Sequence, residues 1–383
     1  MSQQDTDVVP VDVATGTRHR FAYLDNLKVV LVVGVIVGHA TMAWTGVGDW
    51  VFDEPHVRDP MLSVLILLAV IGALFAMPLF FLVAGAFTPG SLRRKGLRRF
   101  LIDRIVRLGL PMIFFIIFLS PVIEYVDPGS AGWDRGFASF ALHIWWPPAP
   151  GPTWFLGVLL AFSIVYAVVR AMWPSRTSTA TPPRIWQLAA AAAIVALVSY
   201  AVRFTVPLGV EVWRLALGQS PAWLTGFTLG VLGGERGWFE PIDPSIARRM
   251  RQVTWTAVAG CVVFLGAAMA TEADIDDFGG GGTWQSLVTA AFEGVLVVGM
   301  PLWLMELFRR RFNRQNELVR RMSRAAYAAF VLHQLVLVGL VLATRWTPWP
   351  PEIEYSIVAV LGVSGSFLLA SLVMRIPGVC RFI

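Results

Sequence analysis

Ten apolar runs of about 20 residues each, separated by short polar segments, form the main pattern of this chain. A helix of about 20 residues crosses the hydrocarbon core of a bilayer. The pattern therefore predicts an all-α integral membrane protein, a bundle of about ten transmembrane helices. The predicted helices are 27–47, 61–88, 105–126, 153–173, 185–206, 213–234, 253–271, 284–307, 325–344 and 356–374.

The composition agrees with this class. The chain is 56% hydrophobic and 15% charged, with a mean hydropathy of +0.65, whereas a soluble domain carries about 25% charged residues. Its two cysteines form neither a disulfide framework nor a metal pattern. Residues 1–22 are polar and lack the regions of a signal peptide, so we expect a cytoplasmic tail there. Residues 23–378 are then one membrane domain, with no second soluble domain.

The positive charge lies mainly on one side of the predicted membrane. With a cytoplasmic N-terminus, the inner segments hold 26 of the 31 lysines and arginines, and the outer segments hold most of the acidic residues. This positive-inside pattern predicts that both termini are cytoplasmic and that the chain is a multi-pass protein of the plasma (inner) membrane. The basic loops are expected to contact anionic lipid, and nucleic acid is not an expected partner despite a pI of about 9.8.

The longest outer segment, 127–152, is rich in tryptophan, proline and glycine. Tryptophan at a membrane face commonly anchors a protein at the interface. The alternative is a rigid aromatic rim above a polar cavity. The sequence alone leaves both interpretations open.

Lys28 and His39 lie eleven residues apart on the first apolar run, so both side chains fall on one helix face. An ionisable residue deep in a membrane helix is a functional hypothesis by default. His39 is about 18 Å into the predicted helix, and a neutral imidazole accepts a proton from a hydroxyl at physiological pH. We therefore expect His39 to be a general base, the alternative being a buried histidine bonded to a neighbouring helix. Lys28, near the N-terminal end of the same predicted helix, favours an anionic, acyl-carrying ligand.

Glu293 and His333 are further ionisable residues inside predicted helices. Glu293 is about nine residues from the outer end of the eighth helix, at a depth comparable with that of His39. A catalytic carboxylate there would orient His39 and stabilise its imidazolium; the alternative is a structural hydrogen-bond partner. His333 is predicted to lie nearer the inner face, where packing and ligand contact are both open.

Arg104 and Arg107 end the inner segment between the second and third runs, at a spacing of three residues that places them on one helix face. Two guanidinium groups at a helix foot suit a phosphate, which each can bind through two N–H donors. The alternative is that they only follow the positive-inside rule. The sequence has no metal-ligand spacing, so no metal is expected, and it has no Gly-x-Ser-x-Gly elbow.

The chain resembles the membrane acyltransferase-3 family in five stretches that follow the family's order over helices one to nine. Each stretch is short, but the ordered set with ten helices is specific. The Leu-Asp-Asn-Leu opening is most similar to the glucan-modifying branch, which includes glucan succinyltransferases. The five stretches are 23–28 followed by His39, 78–85, 104–111, 151–156 and 327–333.

This resemblance implies a membrane-embedded O-acyltransferase. Such an enzyme moves an acetyl- or succinyl-class group from cytoplasmic acyl-CoA to a hydroxyl of an extracytoplasmic glycan or lipid-linked sugar. His39 matches the family's essential histidine, and Arg104 and Arg107 match its arginine pair. Lys28 stands where the family usually has arginine, which keeps the charge but loses the bidentate fork. The CoA phosphates would lie near these three cations and the thioester near His39, and both direct transfer and an acyl-histidine intermediate stay open.

Three other functions compete with acyl transfer. A secondary transporter predicts internal symmetry and paired broken helices, and no convincing repeat is present. An acyl-group exporter would use the same pore without transfer. A membrane scaffold or sensor would need neither His39 nor Arg107.

The charge pattern predicts which segments face the cytoplasm, and cysteine labelling tests this. In a chain freed of its native cysteines, Lys95→Cys and Arg314→Cys should resist a membrane-impermeant maleimide added to intact cells. Gly281→Cys, in the outer turn 279–282, should react. External labelling at 95 or 314 would overturn the topology, and labelling after lysis is the control for reactivity.

Overall fold

The computed structural model describes residues 22–48, 50–126, 136–143, 149–173, 183–238, 243–271 and 273–379. These residues form helices and connecting segments without a β-sheet, which confirms the all-α class. The polar tail, residues 1–21, and parts of the long outer segment, 127–135 and 144–148, lie outside the described residues.

Ten long helices make up the described part of the bundle. Nine have the length and hydropathy to span a membrane, and the remaining one, α6, has only 17 residues. At 1.5 Å per residue α6 is about 25 Å long, somewhat less than a typical hydrocarbon core. The helices are α1 Ala22–Thr45, α2 Met61–Lys95, α3 Leu97–Tyr125, α4 Trp154–Met172, α5 Ile185–Val202, α6 Ser220–Arg236, α7 Pro244–Ala270, α8 Trp284–Arg311, α9 Glu317–Thr344 and α10 Pro351–Val373.

The helices extend beyond the predicted apolar runs mainly at the ends assigned to the cytoplasm. Helix α2 continues to Lys95, α8 continues to Arg311, and α9 begins at Glu317 rather than 325. Lysine, arginine and glutamate are good helix formers, so a helix does not stop where its apolar run meets polar sequence. In α9 the side chain of Asn316 accepts from the Val319 N–H and caps the first turn.

Helix α6 begins later than predicted. The prediction started it at 213, whereas the structure has a tight turn there and begins the helix at Ser220. Pro221 lies in the first turn of α6, a position that favours a helix start. The residues before it belong to the outer segment 203–219, which reaches the candidate site.

Helices α2 and α6 are in backbone contact along a stripe of glycines. Gly226, Gly230 and Gly234 recur every four residues, and a methyl group on any of them would overlap a carbonyl oxygen of α2. The carbonyls they meet belong to Pro78, Leu82 and Ala86, at the same four-residue repeat. Small residues at such a spacing let membrane helices approach closely, where dispersion forces hold them together.

Asn26 ties the start of α1 to the segment between α8 and α9. Its side-chain amide donates to the carbonyl oxygens of Phe312 (2.6 Å) and Arg314 (2.9 Å) and accepts from Gln315 (2.8 Å). Asn26 is buried, so these bonds satisfy a polar group that would otherwise be costly. The beginning of α1 is thereby fixed beside the beginning of α9.

The glycine stripe predicts that Gly230→Ala destabilises the protein. The added methyl group overlaps the Leu82 carbonyl oxygen, and overpacking of this kind costs about 1–3 kcal/mol. Gly266→Ala in α7 is the matched control, because nothing lies near the added methyl group there. We expect a lower midpoint of thermal unfolding in detergent for Gly230→Ala and no decrease for Gly266→Ala; equal midpoints would contradict the close contact.

Candidate functional site

His39 on α1 and His333 on α9 are hydrogen-bonded to each other inside the bundle. The distance from His39 Nδ1 to His333 Nε2 is 3.0 Å. His333 is fully buried, and its Nδ1 donates to the carbonyl oxygen of Phe330 at 2.6 Å. The expectation that His333 lies nearer the inner face was wrong, because α9 starts eight residues before the predicted 325 and the contact brings both imidazoles to one depth.

The hydrogen bonds define the tautomer of each neutral imidazole. A carbonyl oxygen only accepts, so the proton of His333 is on Nδ1 and its Nε2 carries a lone pair. His39 Nδ1 must then donate to that lone pair. The lone pair of His39 is consequently on Nε2. This is the arrangement that a general base requires, with a second group orienting the base through its other nitrogen.

His39 lines a cavity of about 490 Å³ between the helices and the outer segments. Its walls combine aromatic and polar side chains, a lining that suits a ligand with both apolar faces and hydroxyl groups. Ala149, Pro150 and Pro152, at the end of the segment 127–152, form part of the wall together with Trp154 at the start of α4. The tryptophans of the segment lie outside the described residues, so the aromatic rim stays a prediction. The polar lining comprises His39, Ser120, Glu124, Glu211, Arg214 and Gln334.

A strained turn carries one of these polar residues. Val212 and Leu215 pair across a two-residue turn whose central residues, Trp213 and Arg214, have φ of 57° and 60°. Non-glycine residues in this left-handed region are uncommon, and they are found where the surrounding structure enforces them, often at functional sites. The turn brings Arg214 to the cavity.

Glu293 is paired with Arg203. Arg203 Nη2 lies 2.8 Å from Glu293 Oε2, and both side chains are buried. Arg203 Nε also donates to the carbonyl oxygen of Gly218 at 3.3 Å, so the pair holds both ends of the outer segment 203–219. His39 receives its orienting contact from His333 instead. A catalytic role for Glu293 stays a prediction, but the contacts described for it are those of a structural anchor.

Lys28 and Arg104 meet at the same turn of α2. The ammonium of Lys28 lies 4.8 Å from the ring centre of Phe87, and Arg104 Nη2 donates to the hydroxyl of Thr88 at 3.2 Å. Lys28 also pairs with Asp25 at 3.2 Å. Within the described residues Arg104 has no carboxylate at ion-pair distance, and its Nε is buried without a hydrogen-bond partner. Its guanidinium therefore retains donors for an anion.

Arg107 differs from Arg104 in its surroundings. Its side chain is largely exposed, and its Nε lies 3.2 Å from Asp103. The hydroxyl of Tyr327 on α9 donates to the Arg107 carbonyl oxygen at 2.5 Å. A π-helical turn, Ile105–Gly109, begins directly after Arg104. Such turns are frequent at functional sites. The prediction placed Arg104 and Arg107 on one helix face, whereas in the structure the Arg104 guanidinium is largely buried and that of Arg107 is exposed.

Lys28, Arg104 and Arg107 form a cation cluster, and its Lys28 lies on the same helix as His39. Eleven residues separate Lys28 from His39, about 16 Å along the helix axis. The described residues contain no group of three or more His, Cys, Asp or Glu side chains that could hold a metal ion. His39 and its cavity therefore lie about 16 Å along α1 from Lys28, beside which Arg104 packs on α2.

His333 is the residue that the sequence analysis underrated. Its signals were present: Asn316 and Glu317 are a helix cap and an acidic first turn, which would have started α9 early enough to place His333 at the depth of His39. Gln334, the residue after His333, lines the cavity and was not among the predicted site residues.

A comparison with protein families gives a match over nearly the whole chain. The family model Acyl_transf_3, described as an acyltransferase domain, matches residues 21–374. No curated protein and no solved structure matches the chain. The matched range contains all ten long helices, the histidine pair and the cation cluster. The chain therefore belongs to the membrane acyltransferase-3 family and is an acyltransferase, an enzyme that transfers acyl groups other than aminoacyl groups.

Proposed function

We propose that this enzyme moves an acetyl- or succinyl-class group from cytoplasmic acyl-CoA to a hydroxyl of an extracytoplasmic glycan or lipid-linked sugar. The observation that carries the proposal is the His39–His333 pair at the outer cavity, because it supplies an oriented base beside a space that can hold an acceptor. We place the enzyme in the plasma (inner) membrane, and the predicted split of 26 inner to five outer lysines and arginines supports the orientation of its two sides.

The donor end of the proposal rests on the cation cluster. The guanidinium of Arg104, whose Nε has no partner, and the ammonium of Lys28 lie at the turn of Phe87 and Thr88, and the exposed Arg107 lies at the same end of α3. Guanidinium groups bind phosphates through pairs of N–H donors. CoA phosphates at this cluster would leave the pantetheine arm to extend about 16 Å along α1 towards His39.

The chemistry follows from the tautomers of the two histidines. His39 Nε2 takes the proton of the acceptor hydroxyl as the hydroxyl oxygen bonds to the thioester carbonyl carbon. His39 is then an imidazolium whose Nδ1–H still donates to His333, a charge-assisted hydrogen bond. Collapse of the intermediate breaks the carbon–sulfur bond, and the thiolate takes the proton from His39.

The acceptor end rests on the lining of the cavity. Trp50 and Trp154 provide flat apolar faces, while Glu211, Arg214 and Gln334 provide acceptors and donors for hydroxyl groups. Among the described residues of this wall, one guanidinium lies with two carboxylates, which favours a hydroxyl-rich ligand over a polyanion.

His39→Ala tests the base. We expect acyl transfer to fall by about 10²–10⁴-fold, the range for loss of a general base, while insertion and solution behaviour in detergent stay normal. The measurement is release of CoA thiol and appearance of the acylated product with purified protein. Wild-type turnover by a well-folded His39→Ala variant would place the base elsewhere, with Glu293 the next residue to test.

His333 is tested with two replacements that separate orientation from packing. His333→Phe keeps an aromatic ring but removes the acceptor for His39 Nδ1, and a hydrogen bond to a charged group contributes about 1.5–3 kcal/mol. We expect kcat to fall about tenfold to a hundredfold. His333→Gln retains an acceptor oxygen and should recover much of that loss; equal rates for the two variants would show that His333 does not orient the base.

Binding at the cation cluster is tested by calorimetry with CoA. Arg104→Ala and Arg107→Ala should each weaken CoA binding about tenfold to a hundredfold, the value of a lost charge-assisted contact. Lys28→Arg should be tolerated or bind more tightly, because it restores a bidentate fork. Arg99→Ala, an exposed arginine on the same helix, is the control. If Arg104→Ala and Arg99→Ala bind CoA equally well, Arg104 does not bind CoA and its charge only contributes to the orientation of the protein in the membrane.

A further inference from the structure

Trp50 lies in the wall of the cavity beside His39 and carries an unpaired hydrogen-bond donor. Its ring stacks on the imidazole of His39, with ring centres 5.4 Å apart and planes at 27°. The indole Nε1 is buried and has no hydrogen-bond partner. Since indole nitrogen is a donor only, what it lacks is an acceptor.

Such a donor needs an explanation, because leaving a buried donor unsatisfied costs about 1–3 kcal/mol. The same is true of Trp44, Trp223 and Trp238 in the described part of the chain. Trp50 is the one of these four that lines the His39 cavity. An acceptor that arrives with the substrate accounts for Trp50 and does not account for the others.

Gln334 places a second polar group in the same wall. It follows His333 on α9 and is largely buried, and the oxygen Oε1 of its amide, as placed, has no hydrogen-bond partner. That atom packs against Gly151, where a side chain would overlap it. The oxygen and nitrogen of an amide exchange places by a flip, so this group can turn an N–H towards a ligand.

We propose that Trp50 Nε1–H, with the Gln334 amide as a second donor, binds the oxyanion of the acyl-transfer intermediate. The inference rests on the proposed function. When the acceptor oxygen bonds to the thioester carbon, the electron pair of the C=O double bond moves to the carbonyl oxygen. The N–H donors hold this anion until the double bond re-forms, the carbon–sulfur bond breaks and the CoA thiolate leaves with the proton held by His39.

The assignment differs from a simple role in substrate binding. Donors aimed at the developing oxyanion act in the transition state, so their loss lowers kcat. A contact made equally in the ground state would raise KM and leave kcat unchanged. The two side chains are also neutral, so their N–H groups would attract an anion without a permanent charge that binds competing anions.

Trp50→Phe tests the proposal because it removes the N–H and keeps a stacked aromatic ring. Trp44→Phe is the matched control: Trp44 is also buried with an unpaired indole nitrogen, but it packs on Tyr355 and does not line the cavity. Gln334→Met removes the second donor with little change in volume. The probe is acetyl-CoA with water as acceptor, followed by release of CoA thiol from purified protein.

We expect Trp50→Phe to lower kcat by about 10²-fold, the scale for one oxyanion donor, with an unchanged KM for acetyl-CoA. Gln334→Met should show a smaller loss of the same kind, and Trp44→Phe none. Equal kcat for Trp50→Phe and Trp44→Phe overturns the proposal, as does a rise in KM without a fall in kcat. If wild type releases no thiol and acylates no hydroxyl, the proposed function fails and the oxyanion site fails with it.

Discussion

A polar side chain in the apolar part of a membrane protein must find its partner within the protein, because lipid offers none. This constraint organises the interior of the bundle. His39 is bonded to His333, Arg203 to Glu293, and Asn26 to the backbone between α8 and α9. Each of these contacts joins helices that are distant in sequence. The polar groups that the bundle does contain are consequently also the ones that fix which helices are neighbours.

The exceptions to this constraint are as informative as the rule. Several buried polar atoms of the described residues have no partner, and three of them belong to Arg104, Trp50 and Gln334. Arg104 packs near Lys28, whereas Trp50 and Gln334 line the cavity beside His39, so the three lie at the two ends of the path proposed for the acyl donor. Unsatisfied groups at these two places are expected if their partners come with the substrates, one as phosphate and one as carbonyl oxygen.

Much of this arrangement could be predicted from the sequence, for physical reasons that differ by element. A membrane helix is recognised in a sequence by the length of its apolar run, so the fold class and nearly all the helices were predicted. His39 was predicted as a site residue because it lies in an uncharged run. Helix ends were less accurate, because an apolar run marks the bilayer rather than the limits of the helix. The start of α6 was missed since Trp213 and Leu215 continue the apolar pattern into a turn.

Partnerships across the bundle were the hardest to predict. A match in depth suggested Glu293 for His39, but depth does not specify the rotation of a helix about its axis. In the structure Glu293 forms an ion pair with Arg203, and His39 is hydrogen-bonded to His333. The arginine pair illustrates the same limit, because a π-helical turn after Arg104 changes the direction in which Arg107 points relative to a regular helix.

The glycine contact between α2 and α6 has a mechanical consequence. Sliding of packed helices ordinarily occurs over a layer of side chains that can change rotamer. At Gly230 and Leu82 the two backbones are in direct contact, so no side chains separate the helices there. Helices α2 and α6 are therefore expected to move as one rigid unit. A movement that admits a bulky substrate would then have to occur at helix contacts other than this one.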